Sequence, residues 1–155
     1  MAKGAQIGTA TFGTGQGGRI NLKVTNDVSF KGIDKIGFHS GIFTMSQSKA
    51  NNAGNAGSIV LKTGNLHITE KAKINAGTDG LGNGGDVNID AQNINLINEG
   101  TITAFSDGKG NAGQIALTIE KQLQIQNSRI ETSAKSANGG NIAVNTLGYL
   151  YLIDS

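Results

Sequence analysis

The chain has 155 residues, of which 24 are Gly and none is Pro, Cys or Trp, and its formal net charge is +2. The absence of Cys excludes disulfides, zinc ribbons and thiol catalysis, and the absence of Pro together with irregular Gly spacing excludes collagen. With 37% hydrophobic and 15% charged residues, the composition lacks the signature of disorder, and the small, scattered positive charge argues against nucleic acid as a partner.

Five Gly/Asn clusters punctuate the chain, and they begin at residues 15, 54, 82, 110 and 137. Their spacings of 39, 28, 28 and 27 residues fall in the range of solenoid repeats. Between clusters, apolar and polar residues alternate in two runs, as in residues 86–89 and 93–96, and a third, weaker run surrounds Ile102. Alternation of this kind predicts half-buried strands. Each unit of about 28 residues is therefore predicted to contain three short strands and three turns, with positive φ at the clustered glycines.

The same residue types recur at the same position of successive units. One of the apolar columns contains Leu66, Ile94, Leu123 and Leu150. Because no unit can bury its apolar face alone, equivalent strands should stack about 4.8 Å apart. The pattern predicts an all-β fold, a single-stranded parallel β-helix of about five coils. A β-propeller is the disfavoured alternative, since its units need four antiparallel strands and about 40 residues or more.

The first full unit is longer than the next by 11 residues. Residues 32–52 interrupt the alternation, so we predict an insertion loop there within one domain spanning 1–155, and Phe38 and Phe43 suggest that the loop folds back on the solenoid. The chain begins inside a third strand, has no apolar signal segment and stops after a second strand. We therefore expect a section of a longer solenoid, whose open coil edges would allow end-to-end self-association.

Gly/Asn-punctuated β-helices occur in several protein families, and four segments of this chain are similar to one of them: GNAGSIVLKTGNLHITEKAKINAGT, GNGGDVNIDAQNINLINEGTITAFSDGKGNAGQIALTI, YLYLIDS and SGIFTMSQSKANNAGNAG. They resemble the repeat region of filamentous-haemagglutinin-like exoproteins, above all the large cyanobacterial type that uses two-partner secretion. The resemblance covers nearly the whole chain. It implies a right-handed β-helix, an outer-membrane secretion partner, a secreted or cell-surface location and a role in adhesion. The family's secretion domain has an NPNG-type motif, and this chain has no Pro, so the resemblance extends to the shaft alone.

One amide recurs in each of the last four Gly/Asn clusters, as Asn55, Asn83, Asn111 and Asn138. A row of amides can bind a ligand, but one Asn per coil is what stacking requires. We interpret the four residues as a structural ladder that satisfies the turn backbone.

Candidate chemistry is sparse elsewhere. Asp79 and Asp107 occupy nearby turn positions one coil apart and are the candidates for a weak calcium site, and no other cofactor is expected. Phe38 in the insertion and the outward Tyr149 and Tyr151 are the candidate contact residues for a carbohydrate or a protein surface. Acidic residues are dispersed, and Arg19 lies on a coil distant from Arg129, so no catalytic residue is assigned.

These observations predict a non-enzymatic structural and adhesive shaft segment. The alternatives are a carbohydrate-binding or carbohydrate-active β-helix, which as an enzyme would need carboxylates converging in a groove, and a calcium-stabilised solenoid.

Overall fold

The computed structural model describes residues 1–154, which form strands and turns without any helix. No segment of this range is a helix able to span a membrane. The strands in chain order are β1 Gln6–Thr11, β2 Ile20–Lys23, β3 Asp27–Lys31, β4 Gly41–Ser46, β5 Ile59–Thr69, β6 Lys73–Thr78, β7 Val87–Ile97, β8 Thr101–Ser106, β9 Ile115–Gln126, β10 Arg129–Ala134, β11 Ile142–Thr146 and β12 Tyr149–Ile153.

Two parallel sheets run along the molecule. One has the order β1-β4-β6-β8-β10, and the other stacks β2 with β3, then β5, β7, β9, and finally β11 with β12. Residues of one column pair directly, as Ile74 does with Ile102 and Ile102 with Ile130. Four complete coils (β2–β4, β5–β6, β7–β8 and β9–β10) are flanked by β1 and by β11–β12. This confirms the predicted parallel β-solenoid, while its right-handed sense stays a prediction.

The sequence predicts two separate strands in the first part of each coil. In the three coils formed by β5–β6, β7–β8 and β9–β10, these two segments form one continuous strand. β5 and β7 have 11 residues each and β9 has 12. Within β5 the buried positions change phase between Thr63 and Leu66, and the register of β7 against β9 is irregular after Ala91. The sequence pattern breaks at this phase change and so suggests a turn. Hydrogen bonds to the neighbouring coil nevertheless continue on both sides of it.

The core is a stack of the predicted apolar columns. Members from the middle coils, such as Leu61, Leu66, Ile74, Ile94 and Leu117, are completely buried. Burying an Ile or Leu side chain stabilises the fold by about 1.5–3 kcal/mol relative to leaving it exposed. Each such residue packs on its counterparts one coil above and one coil below, so the stability of a coil depends on its neighbours.

The predicted insertion at 32–52 needs a correction, because β4 lies inside it and takes the regular third-strand place between β1 and β6. The extra residues are distributed around the coil instead. Nine residues separate Lys31 from Gly41, against three between Thr69 and Lys73, and the segment after β4 is also longer. The alternation is disguised in β4 because its inward residues after Ile42 are Thr44 and Ser46, which are buried but polar.

The Gly/Asn clusters need glycine for a different reason from the one predicted. None of their glycines has a φ in the left-handed region; the glycines that do are Gly4, Gly32, Gly37 and Gly41. A Cβ added at Gly82 would lie 2.2 Å from the carbonyl oxygen of Gly54, and one at Gly110 would lie 2.1 Å from that of Gly82. The backbones of successive coils therefore approach too closely for any side chain at these positions.

The two ends of the solenoid differ. At the C-terminal end, β11 and β12 have no coil above them, and the column residues Ile142, Leu150 and Leu152 are 44%, 50% and 60% exposed. At the N-terminal end, Val28 and Phe30 are buried, and Ala2 pairs with Lys31 at the edge of β3. At the N-terminal end the column residue Ile7 on β1 is 38% exposed, so the apolar interior is less covered at the C-terminal end than at the N-terminal end.

Candidate functional site

The four recurrent Asn side chains lie one above the other at the same turn. The Asn55 Oδ1 accepts a hydrogen bond of 2.8 Å from the backbone N–H of Asn83, and the Asn83 Oδ1 accepts one of 2.8 Å from Asn111. The Asn111 Oδ1 accepts from the N–H of Asn138 at 3.2 Å. The Gln16 Oε1 accepts from the N–H of Asn55 at 3.1 Å, so an amide of the first cluster extends the row to a fifth coil. These bonds occupy the side-chain oxygens with turn backbone, which is the chemistry of a structural ladder.

A second amide row lies on the outer face of the sheet that contains β5. The Asn93 Nδ2 donates to the Asn65 Oδ1 at 2.7 Å, and the Asn65 Nδ2 donates to the Asp27 Oδ1 at 2.6 Å. The pairing of β7 with β9 and of β9 with β12 places Gln122 and then Tyr149 in the same column. This row was not predicted, although residues 65 and 93 are 28 positions apart in the sequence, like the ladder residues.

The turn that follows the long strands has its own recurrent geometry. Glu70 and Lys71 have φ of 54° and 70°, and Asn98 and Glu99 have φ of 54° and 64°. A left-handed backbone conformation is unfavourable in free energy for any residue that has a side chain. Each of these four residues donates its backbone N–H to a carbonyl of the next coil, as Glu99 does to the Asn127 carbonyl at 2.6 Å. Inter-coil bonding therefore holds the strained turn in place.

Next to this turn the molecule has a groove of about 360 Å³. We call it the lysine groove, and its charged and titratable lining residues are His39, Lys71, Lys73, Glu99, Arg129 and Asp154. Lys71 pairs with Glu99 at 3.6 Å, and Arg129 pairs with Glu131 at 3.4 Å. The His39 ring reaches the Lys71 carbonyl. Arg129 was expected on a coil distant from Arg19 and was given no role, but the strand register stacks it in one column with Lys73 and Thr101.

Burial and the neighbouring charges together change the pKa of Lys73 in the groove. Burial lowers the pKa of Lys73, and the Arg129 guanidinium lowers it further, while Glu131 acts in the opposite direction. A lysine with a lowered pKa is more readily deprotonated and can then act as a base. On another face, the hydrogen bond to Asp90 raises the pKa of Lys62; the two side chains are 2.6 Å apart and well exposed.

The calcium candidates Asp79 and Asp107 lie at equivalent exposed positions, immediately after β6 and β8. Their backbone N–H groups donate to the carbonyls of Ser46 and Thr78. Among residues 1–154, no three His, Cys, Asp or Glu side chains come together in a way that could hold a metal ion.

The candidate contact residues do not form one site. Phe38 is 56% exposed at the tip of a small loop, in which Asp34 Oδ1 accepts hydrogen bonds from the N–H groups of Ile36 and Phe38. Phe38 itself is not packed on the solenoid, whereas His39 of the same loop reaches the Lys71 carbonyl. Tyr149 and Tyr151 lie together on β12, with ring centroids 6.1 Å apart and planes at 31°.

Comparisons with protein-family models, with curated proteins and with solved structures find no significant match. The class of protein that the fold defines is a parallel β-solenoid repeat protein.

Proposed function

We propose that this chain is a non-enzymatic structural and adhesive shaft segment of a secreted surface exoprotein of the filamentous-haemagglutinin-like kind. The observation that supports the proposal most strongly is that the inward side chains and the turn residues make the contacts between stacked coils. The core columns, the close-packed glycines and the Asn ladder all connect one coil to the next. This leaves the outer faces free to contact other surfaces.

The direction of the hydrogen bonds between coils also suits a shaft that must resist pulling along its axis. Ladder hydrogen bonds and sheet hydrogen bonds run along the same axis as the stack. An extended rod built in this way can hold an adhesive surface away from a cell. An outer-membrane secretion partner would export the protein that contains the segment, as the resemblance implies.

The location part of the proposal is tested on intact cells of the source organism. An antibody raised against the chain should label unpermeabilised cells, and brief protease treatment of intact cells should remove the signal. A cytoplasmic protein serves as the control and should survive the same treatment. Signal that resists the protease until the cells are broken would contradict a surface location.

The adhesive part is tested with the purified chain on beads. Coated beads should adhere to cells or surfaces from the natural habitat more than beads coated with an unrelated protein of equal net charge. Equal retention of the two bead types would contradict adhesion by this segment.

We also propose that the 155-residue chain by itself associates end to end through β11 and β12. The exposed column residues Ile142, Leu150 and Leu152 and the unpaired edges of β11 and β12 favour it, because open strand edges and apolar surface promote pairing between chains. Sedimentation velocity should show larger species as concentration rises, and fewer of them for Leu150→Ser. A monomer at all concentrations would contradict this.

A carbohydrate-active enzyme is the second candidate, and the lysine groove favours it. Lys73 with its lowered pKa lies near Arg129, and the carboxylates of Glu99 and Asp154 line the same groove. A base and a carboxylate in one groove are a combination that polysaccharide cleavage uses. Release of reducing ends from a polysaccharide panel, abolished by Lys73→Met, would support this candidate. The absence of release from every member would remove it.

A further inference from the structure

The outer face at the C-terminal end of the long-strand sheet has an unusual composition. Its three successive rows, on β7, β9 and β12, each present two outward amide or tyrosine side chains, followed by a third outward residue in the column Ile97, Gln126 and Ile153. We call this surface the amide–tyrosine face, and its residues are Asn93, Asn95, Gln122, Gln124, Tyr149 and Tyr151. Four of the six are amides, two are tyrosines, and none is Lys, Arg, Asp or Glu.

A buried core lies beneath the amide rows of the face. The side chains that alternate with the amides point inward, and Ile94, Leu96 and Leu123 are buried, whereas Leu150 between the two tyrosines is 50% exposed. Neighbouring rows lie about 4.8 Å apart, and register places Asn95 below Gln124 and Gln124 below Tyr151. Two columns of polar groups therefore lead in straight lines to the two rings.

The amides retain hydrogen-bonding capacity. A primary amide has two donors and an oxygen acceptor with two lone pairs. The Gln122 Nε2 donates to the Gln124 Oε1 at 3.4 Å, and the Gln124 Nε2 donates to the Gln126 Oε1 at 3.4 Å. Each of these contacts uses one donor and one lone pair, so further donors and acceptors remain for a ligand.

The tyrosines supply the apolar part of the surface. Tyr149 is 69% exposed and Tyr151 is 46% exposed. The ring centroids are 6.1 Å apart and the ring planes are inclined at 31°, so the two rings are close enough for one oligosaccharide to contact both. Aromatic rings combine a large apolar surface with, in tyrosine, a hydroxyl that hydrogen-bonds.

The chemistry of the face discriminates between classes of partner. Nucleic acids and acidic polymers require Lys or Arg to neutralise their charge, and the six residues include neither. A typical protein interface has an apolar core, whereas four of the six residues here are amides. A sugar ring matches the face on both counts, since its hydroxyls donate and accept hydrogen bonds and its C–H surface stacks on an aromatic ring.

We propose that the amide–tyrosine face binds a neutral polysaccharide, with sugar rings on Tyr149 and Tyr151 and hydroxyl groups on the amide columns. The proposal gives the adhesive part of the proposed function a ligand class and rests on that function. It assigns no catalytic step to the face.

The test uses the whole chain in pull-down with microcrystalline cellulose and with chitin, and in affinity electrophoresis with a soluble neutral β-glucan. The chain should bind at least one of the three, and 0.5 M salt should not weaken binding. The double variant Tyr149→Ala/Tyr151→Ala should bind at least tenfold more weakly. Tyr149→Phe/Tyr151→Phe should lose less, because the rings remain.

Phe12→Ala is the matched control, since Phe12 is 74% exposed and lies outside the face; its binding should equal that of the unchanged chain. Circular dichroism and melting curves establish that each variant is folded. Three results would overturn the proposal: binding to none of the three polysaccharides, equal binding by the folded double alanine variant, or binding that 0.5 M salt abolishes.

The two proposals fail separately. If coated beads adhere equally well with and without the two tyrosines, the polysaccharide inference is wrong and the adhesive function stands. If the protein is absent from the cell surface, the proposed function is wrong whatever the chain binds in vitro.

Discussion

At the scale of single residues, the turn positions are determined by what lies one coil away. Asn83 matters because its oxygen accepts the N–H of Asn111, and Gly82 matters because the carbonyl of Gly54 leaves no space for a Cβ. Spacing in the sequence locates both columns. It does not identify close backbone approach as the reason for glycine, because that depends on the distance between coils and not on local φ.

The Asn ladder predicts a specific loss. Asn83→Ala leaves the Asn111 N–H without its side-chain acceptor, and we expect the free energy of unfolding to fall by about 1 kcal/mol. Asn88→Ala is the control, since Asn88 is an exposed residue of the same coil outside the ladder, and it should change stability by less than about 0.5 kcal/mol. Denaturant titration measures both. Equal effects of the two substitutions would contradict the ladder.

The glycine columns predict a steric effect. Gly82→Ala places a methyl group against the backbone of the coil below, and we expect a loss of about 2–3 kcal/mol. Gly139→Ala introduces the same methyl group in the last cluster, where nothing lies within 4 Å of the new Cβ. Thermal melts should show a clearly lower midpoint for Gly82→Ala alone. Two similar midpoints would show that close approach is not what requires glycine.

The burial of Lys73 predicts that the free energy of unfolding depends on pH in a definite direction. Burial lowers its pKa in the folded state below the ordinary value of 10.5, so the folded state binds fewer protons there than the unfolded state. The free energy of unfolding therefore gains a contribution as the pH rises towards 10.5, and Lys73→Gln lacks this gain. Denaturant titrations at pH 7 and pH 10 should show the unchanged chain improving relative to the variant. A difference that stays constant or shrinks would contradict the burial of this charge.

At the scale of elements, sequence periodicity predicts strands well where inward residues are apolar. It finds the columns of β5, β7 and β9 but divides each strand in two, because the alternation changes phase while the hydrogen bonding continues. It misses β4 because the inward Thr44 and Ser46 are polar; they are buried with their hydroxyls donating to the carbonyls of Gly57 and Gly54. The lysine groove was missed for a related reason, since it depends on the register between coils.

Two leucines of one column differ in burial, so substituting each of them separates the effect of burial on stability from the effect of residue type. Leu123 is 1% exposed on β9 and Leu150 is 50% exposed on β12. We expect Leu123→Ala to cost about 3 kcal/mol through the cavity that it leaves, and Leu150→Ala to cost about 1 kcal/mol. Hydrogen exchange should also show stronger protection in β9 than in β12. Losses of the same size would be inconsistent with the open end at β12.

At the scale of the whole molecule, the same contacts recur from coil to coil. Stability should therefore be a sum of coil terms and nearest-neighbour terms, with the middle coils the most stable. The outer faces differ from this uniform interior, since one has the lysine groove and another the amide–tyrosine face. Composition and repeats predict the rod, whereas its surface sites emerge only when residues about 28 positions apart are placed side by side.

Disulfide trapping tests the central claim, that successive coils stack in parallel and in register. The chain has no Cys, so an introduced pair reports without interference. Asn88 pairs with Ala116 on the outside of β7 and β9, and a Cα separation of about 4.8 Å lies within disulfide range. Asn88→Cys with Thr118→Cys is the matched control, since Thr118 pairs with Asp90 and its Cα lies about 8 Å from that of residue 88.

Under mild oxidation, the account predicts that Asn88→Cys/Ala116→Cys forms an intramolecular disulfide at least tenfold faster than Asn88→Cys/Thr118→Cys. Equal rates for the two pairs, or faster bonding in the offset pair, would contradict the in-register solenoid.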